Sequence, residues 1–126
     1  MPKHVPDLPG IEPGPYPFSQ VVEANGFVFL AGQVGDAPGS HGAVPGGIEP
    51  ETRAMLDNVG RLLEAVGLSF ADVVKCTVYL REFSDFAAMN KVYREYFPND
   101  MPTRATVGVT ALAEDYSVEI EVMAAR

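Results

Sequence analysis

The chain has 126 residues, 47% hydrophobic and 21% charged, the balance of one globular domain spanning residues 1–126 and not of a disordered tail. Nine Lys and Arg, scattered along the chain, stand against seventeen Asp and Glu for a formal charge of -8, so dedicated binding to a nucleic-acid backbone is disfavoured. A single cysteine excludes an internal disulfide framework and fits a reducing cytoplasm, and the longest apolar runs, such as "FVFLAG", are far too short to span a bilayer.

The first eighteen residues, "MPKHVPDLPGIEPGPYPF", are rich in Pro and Gly, carry no secretory h-region and lack helical or strand periodicity, which predicts an extended arm over residues 1–18. "SQVVEA" and "FVFLAGQV" then read as two strands joined by Asn25-Gly26, the strongest short-range hairpin signal. "GDAPGSHGAVPGG", residues 35–47, is a loop without the G-K-[ST] ending of a phosphate cradle, so its glycines are expected to supply turns and mobility. His41 within it, like His4 in the arm, has no second metal ligand nearby and reads as solvated.

From Pro50 the spacing turns helical. Met55, Leu56, Val59, Leu62, Leu63 and Val66 form one stripe, Glu51, Arg53, Asp57, Arg61 and Glu64 lie mostly off it, and Gly67 suits the stop. "ADVVKCTVYLREF" reads as a strand with Val74, Cys76, Val78 and Leu80 on one face, and Cys76 as a buried core residue. Ser84 is placed to cap a second helix whose inward stripe is Phe86, Met89, Val92, Tyr93 and Tyr96 or Phe97, ending before Pro98.

Two strands finish the chain. "TRATVGV" puts Arg104, Thr106, Gly108 and Thr110 on one face and Ala105, Val107 and Val109 on the other, whose apolar side chains suit a core. "SVEIEVMAA" alternates Val118, Ile120 and Val122 with Ser117, Glu119, Glu121 and Met123. The order is β-β-α-β-α-β-β, an α+β fold in which one sheet buries both helix stripes on one face. Its second face, expected to carry Thr77, Tyr79, Arg104, Thr106, Glu119 and Glu121, suits either water or a subunit interface.

Several segments together resemble the reactive intermediate deaminase family, RidA/YjgF/YER057c/UK114: "FSQVVEANGFVFLAGQVG", the helical stretch from "TRAMLDNVGRLLEAVG" to "MNKVYREYFP", and "PTRATVGVTAL" followed by "VEIEVMAA". The resemblance implies a chorismate-mutase-like (YjgF-like) fold that forms a homotrimer with clefts between subunits. It also implies hydrolysis of 2-aminoacrylate, 2-iminopropanoate or related 2-imino acids to 2-oxo acids and ammonia, with no metal or organic cofactor. Arg104 matches the arginine that pairs with the substrate carboxylate, a task suited to a planar bidentate donor. Glu119 matches the carboxylate that positions water or moves protons, although its place on an alternating strand equally fits a solvent-facing glutamate.

Two departures from the family pattern concern hydroxyls. Phe18 stands where a tyrosine is usual and Ala31, before Gly32, where a serine is; Tyr16 is either a displaced substitute or an arm residue, and Thr106 replaces a frequent cysteine. The expected substrate-binding set is therefore Arg104, Thr106, Phe18, Ala31, Gly32 and Tyr16, with partners limited to small imino or oxo carboxylates and further copies of the chain. Losing those hydroxyls favours, as the alternative, a non-catalytic carboxylate-binding or regulatory protein of the same fold. Third comes the endoribonuclease or translation-inhibitor activity described for some members, which the acidic balance and the lack of paired histidines oppose.

Overall fold

The computed structural model describes residues 2–126. Strands β1 (Val21–Ala24) and β2 (Phe27–Val34) form the hairpin that Asn25-Gly26 announces. Both turn residues take positive φ, 56° and 83°, and Ala24 pairs with Phe27, so the link is a two-residue turn of the type that matches strand twist. Helix α1 (Ile48–Ala65), strand β3 (Val73–Leu80), helix α2 (Phe86–Tyr96) and strands β4 (Thr103–Gly108) and β5 (Val118–Ala125) follow, in the expected β-β-α-β-α-β-β order. The sheet order is β1-β2-β5-β3-β4, with β3 and β4 parallel and every other pair antiparallel. The parallel pair needs a crossover, and α2 supplies it.

Both helices lie on one face. Met55, Leu56, Val59 and Leu63 of α1 and Met89 and Val92 of α2 are fully buried, as are Val28, Cys76, Val78, Leu80, Val118 and Ile120 of the sheet. Truncating any large member of that set to alanine would cost about 2–5 kcal/mol. Gly67 takes φ +78° and ends α1 with paired bonds, Gly67 N–H to Glu64 O at 3.0 Å and Leu68 N–H to Leu63 O at 2.9 Å. Among the described residues no helix is long and apolar enough to cross a membrane.

The fold departs from the sequence expectations at five places, each because a neighbour overrides local pattern. Glu51, expected off the stripe, is 3% exposed; its Oε2 accepts from the backbone N–H of Ser117 (2.7 Å) and Val118 (3.3 Å), satisfying the start of β5. Val74 is exposed and Val73 buried instead, because one extra residue at Val74 shifts the β3–β5 register between Val73 and Lys75. Ser84 lies inside a short 3₁₀ turn, Phe83–Asp85, and Asp85 precedes α2 with no side-chain cap. The loop at 35–47 is tied down: Tyr116 Oη accepts from Gly42 N–H at 2.9 Å and donates to Asp36 Oδ2 at 3.3 Å, and Asp115 Oδ1 accepts from Ala43 N–H.

The fifth departure matters most for function. Arg104 pairs with Cys76 and Thr106 with Val78, so both point to the helix side of the sheet, while Ala105 and Val107, expected inward, point to the open side and Val107 is 41% exposed. The phase of this edge strand is set by its ladder with β3 and not by its own apolar residues. Thr77, Tyr79, Glu119 and Glu121 do lie on the open face, as expected, together with the exposed Phe27 and Phe29. At the opposite edge the arm covers β1, with His4 and Glu23 exchanging both backbone hydrogen bonds at 2.8 Å.

Candidate functional site

The central strand pair carries a defect where the Ala-Gly-Gln segment sits. Leu30 pairs with Val122 and Gln33 with Ile120, so Ala31 and Gly32 together oppose the single residue Glu121. This is a β-bulge, the device that re-aims a strand beside a site. Its carbonyls lose their ladder partners, and the Gln33 side chain replaces them: Nε2 reaches Ala31 O at 3.0 Å, Gly32 O at 3.3 Å and Gln20 Oε1 at 3.1 Å. Ala31 N–H is held by Gln20 O at 2.8 Å.

Glu119 packs its carboxylate against Gly32, where a Cβ would collide with Glu119 Oε2. The glycine is therefore needed for close approach and not for an unusual backbone angle. Burial pushes the Glu119 carboxyl above the ordinary glutamate range, and the neighbouring charge of Glu121 adds to the rise. A carboxylate made more basic in this way is suited to take a proton from water.

Around Glu119 lies a cleft of about 660 Å³ that gathers Tyr16, Phe18, Ala31 and Gly32 from the arm and the bulge. Four of the six residues expected to bind substrate on sequence grounds thus meet Glu119, and the other two, Arg104 and Thr106, do not. Ala113, Glu114 and Tyr116, from the connection before β5, close the far side of the cleft. That connection was legible only as a turn, since nothing in "ALAEDY" signals which strand end it folds over.

Arg104 belongs to a second, smaller cavity of about 170 Å³ with Asn90, Tyr93, Arg94, Met101 and Pro102. Its guanidinium lies over the Tyr93 ring, 4.6 Å from the centroid, and 5.6 Å from that of Phe86. Such stacking holds a cation in place for about 0.5–2 kcal/mol and leaves its N–H edge available. Three buried oxygens on this side, Asn90 Oδ1, Tyr93 Oη and Thr106 Oγ1, have no hydrogen-bond partner among the described residues. Buried polar atoms are rarely left so unless a ligand, water or partner completes them.

Asn90 and Tyr93 are site candidates that the aromatic stripe of α2 concealed, since helical spacing marks them only as core and flank. Burial pushes the Tyr93 phenol up, and it keeps its proton as a donor. The Cys76 thiol beneath is also pushed up by burial, which keeps it neutral and unreactive.

The two halves cannot meet within one chain. Glu119 aligns with Tyr79 and Val34 on the open face, whereas Arg104 aligns with Cys76 and Val122 on the helix face.

Known proteins resemble this chain in sequence and in fold. A profile of the family described as Endoribonuclease L-PSP matches residues 12–126. A RutC family protein of Pyrococcus horikoshii is 45% identical over 108 residues, 86% of each chain. The 2-iminobutanoate/2-iminopropanoate deaminase of Capra hircus is 43% identical over 108 residues, 86% of this chain and 79% of that one. Among solved structures, E. coli TdcF with bound serine matches at TM-score 0.81 and 36% identity, covering 92% of this chain and 91% of that one. On both sequence and fold, the chain belongs to the Endoribonuclease L-PSP family, whose members include the RidA/YjgF proteins.

Proposed function

We propose that the protein is an imine deaminase, hydrolysing 2-iminopropanoate, 2-iminobutanoate or related 2-imino acids to 2-oxo acids and ammonia. The observation that carries this reading is a glutamate of raised basicity in an open cleft, in a chain 43% identical to a deaminase of that name. Glu119 accepts a proton from water as the water oxygen bonds to the imine carbon, and the imine nitrogen takes up a proton. The resulting carbinolamine loses ammonia as its C–N bond breaks and C=O forms, with Glu119 returning its proton to the departing nitrogen and the hydroxyl proton passing to solvent, which supplied the proton first taken up by the imine nitrogen.

Arg104 holds the substrate carboxylate through two parallel hydrogen bonds, with Tyr93 and Thr106 hydroxyls free to add donors. Because Arg104 and Glu119 face opposite sides of one sheet, the reading requires Arg104 from a neighbouring copy. A homotrimer provides it by closing a ring over the open faces, whose exposed Phe27, Phe29 and Val107 need cover. A cytoplasmic setting suits the free buried thiol of Cys76. The bound serine in the TdcF structure supports a site for small amino- or imino-carboxylates.

The test is release of ammonia and 2-oxo acid from 2-imino acids made in situ by an amino-acid oxidase. Arg104→Ala is expected to lose at least ~10²–10³-fold in kcat/KM, the cost of removing one partner of a buried charged pair, and to keep its oligomeric state in light scattering. Full activity in that variant would falsify the assignment. Apolar Phe18 and Ala31 favour a second reading, carboxylate binding without turnover, which predicts affinity for 2-oxo acids and a flat assay.

A further inference from the structure

Glu119 is the second residue of β5, at a strand end that the sheet alone does not hold. Its pairing with Val34 is the last on the β2 side, because β2 stops there, while on the β3 side it stands opposite Tyr79. Ser117 and Val118, the two residues before it, have no partner left on β2. The Glu51 side chain takes that place: one oxygen, Oε2, accepts the backbone N–H groups of both, at 2.7 and 3.3 Å. From the other side Arg81 N–H donates to Ser117 O at 3.0 Å, so the chain just ahead of Glu119 is gripped on two sides.

Helix α1 supplies this grip. Asn58, two turns along from Glu51, donates through Nδ2 to Val34 O at 2.8 Å, which fixes the strand residue opposite Glu119. Glu51 is buried, and among the described residues no Lys or Arg pairs with it, so its burial is answered by the two amides alone. Gly35 makes the room, since a Cβ there would collide with Cγ and the backbone oxygen of Glu51. All of these contacts lie within one chain, on the helix-covered side of the sheet and not on the open face that a second copy would cover.

We infer that Glu51 is a positioning residue for Glu119: by holding the amides of Ser117 and Val118 it sets the start of β5 so that the Glu119 carboxylate seats against Gly32. The inference rests on the deaminase reading, in which Glu119 is the base, and Glu51 itself touches no reacting atom. Only Val118 separates the gripped Ser117 from Glu119, so a slip of the strand start reaches the carboxylate undamped.

Two variants of similar length separate placement from charge. Glu51→Gln and Glu51→Met both remove the ionisable group, but glutamine keeps one carbonyl oxygen, which is all the two amides use, whereas methionine offers only a weak sulfur acceptor. Glu51→Met is expected to lower kcat on the order of 10²-fold, the cost of misplacing a reacting group by about 1 Å, with KM nearly unchanged because Arg104 is untouched. Glu51→Gln should retain both constants. Gly35→Ala, which keeps the glutamate and displaces it from the other side, should reproduce the loss, and it carries the test if Glu51→Met does not fold. Leu63→Ala, a buried truncation further along α1, lowers the melting temperature without touching β5's start and should leave kcat unchanged.

The second readout is a carboxyl-carbon NMR titration of Glu119, which needs no turnover. Burial holds that carboxyl above the ordinary range, so a displaced side chain gains water and its pKa falls in Glu51→Met and Gly35→Ala, and stays in place in Glu51→Gln and Leu63→Ala. Three results would each overturn the inference: unchanged kcat and titration in Glu51→Met and Gly35→Ala, a loss in Glu51→Gln as large as in Glu51→Met, or an equal loss of kcat in Leu63→Ala. Absence of turnover by the unmodified protein with every imine defeats the deaminase reading alone, and the titration still decides the placement.

Discussion

The Glu119 side and the Arg104 side of the molecule are built on opposite plans. Glu119 stands on a central strand next to a bulge whose every exposed carbonyl is answered by Gln33, and Gly32 lets the carboxylate lie against the backbone. Arg104 stands on an edge strand, its guanidinium over the Tyr93 and Phe86 rings, on the same side of the sheet as three buried polar atoms without a hydrogen-bond partner among the described residues. The first is internally complete and holds a base in place; the second is a cation on a platform with unfilled hydrogen-bonding capacity. On the deaminase reading proposed above, a base without an anion holder and an anion holder without a base each lack what the other has, and that reading therefore calls for copies to meet.

Mixing subunits would break this comparison most sharply. Arg104→Ala and Glu119→Gln are each expected to be inactive alone, yet co-refolding them should restore activity in about a quarter of the clefts, by random pairing around a closed symmetric ring. No restoration, with mixed oligomers confirmed by native mass spectrometry, would mean both residues serve one chain's own site.

Next in size is Gly32→Ala, which drives the Glu119 carboxylate off its seat. Displacement of a reacting group by about 1 Å costs on the order of 10²-fold, so kcat should fall by that much while the melting temperature barely moves. An unchanged kcat would show that Glu119 needs no such placement.

Tyr93→Phe sharpens the other half. It keeps the ring under Arg104 and removes one unpartnered hydroxyl, so stability should change by less than about 1 kcal/mol while KM rises a few-fold if the hydroxyl reaches the substrate carboxylate. An unaltered KM would confine the role of Tyr93 to stacking.

The smallest effect is on pH. The charge of Glu121 helps hold the Glu119 proton, so Glu121→Gln lowers the Glu119 pKa. The base acts when ionised, and the acid limb of the kcat/KM profile should therefore move to lower pH with the high-pH plateau unchanged. Glutamine still offers an oxygen to the Tyr79 hydroxyl, now 3.2 Å from Glu121 Oε1, so the change is electrostatic and not a loss of packing.

Much of this was legible in the residues themselves. Asn25-Gly26 determined the hairpin, because both positions need positive φ and few residue types accept it. The stripes of α1 and α2 and the alternation of β5 determined which side chains enter the core, because a 3.6 or 2.0 residue period leaves one solution when a single face is buried. Tertiary structure alone decided the rest: the bulges at Ala31-Gly32 and at Val74, the burial of Glu51 under the start of β5, and the side of the sheet to which Arg104 points. The reason is common to all of them. A strand's phase and a buried carboxylate's partners are fixed by hydrogen bonds to segments distant in the chain, and local pattern carries no record of which segment will be alongside.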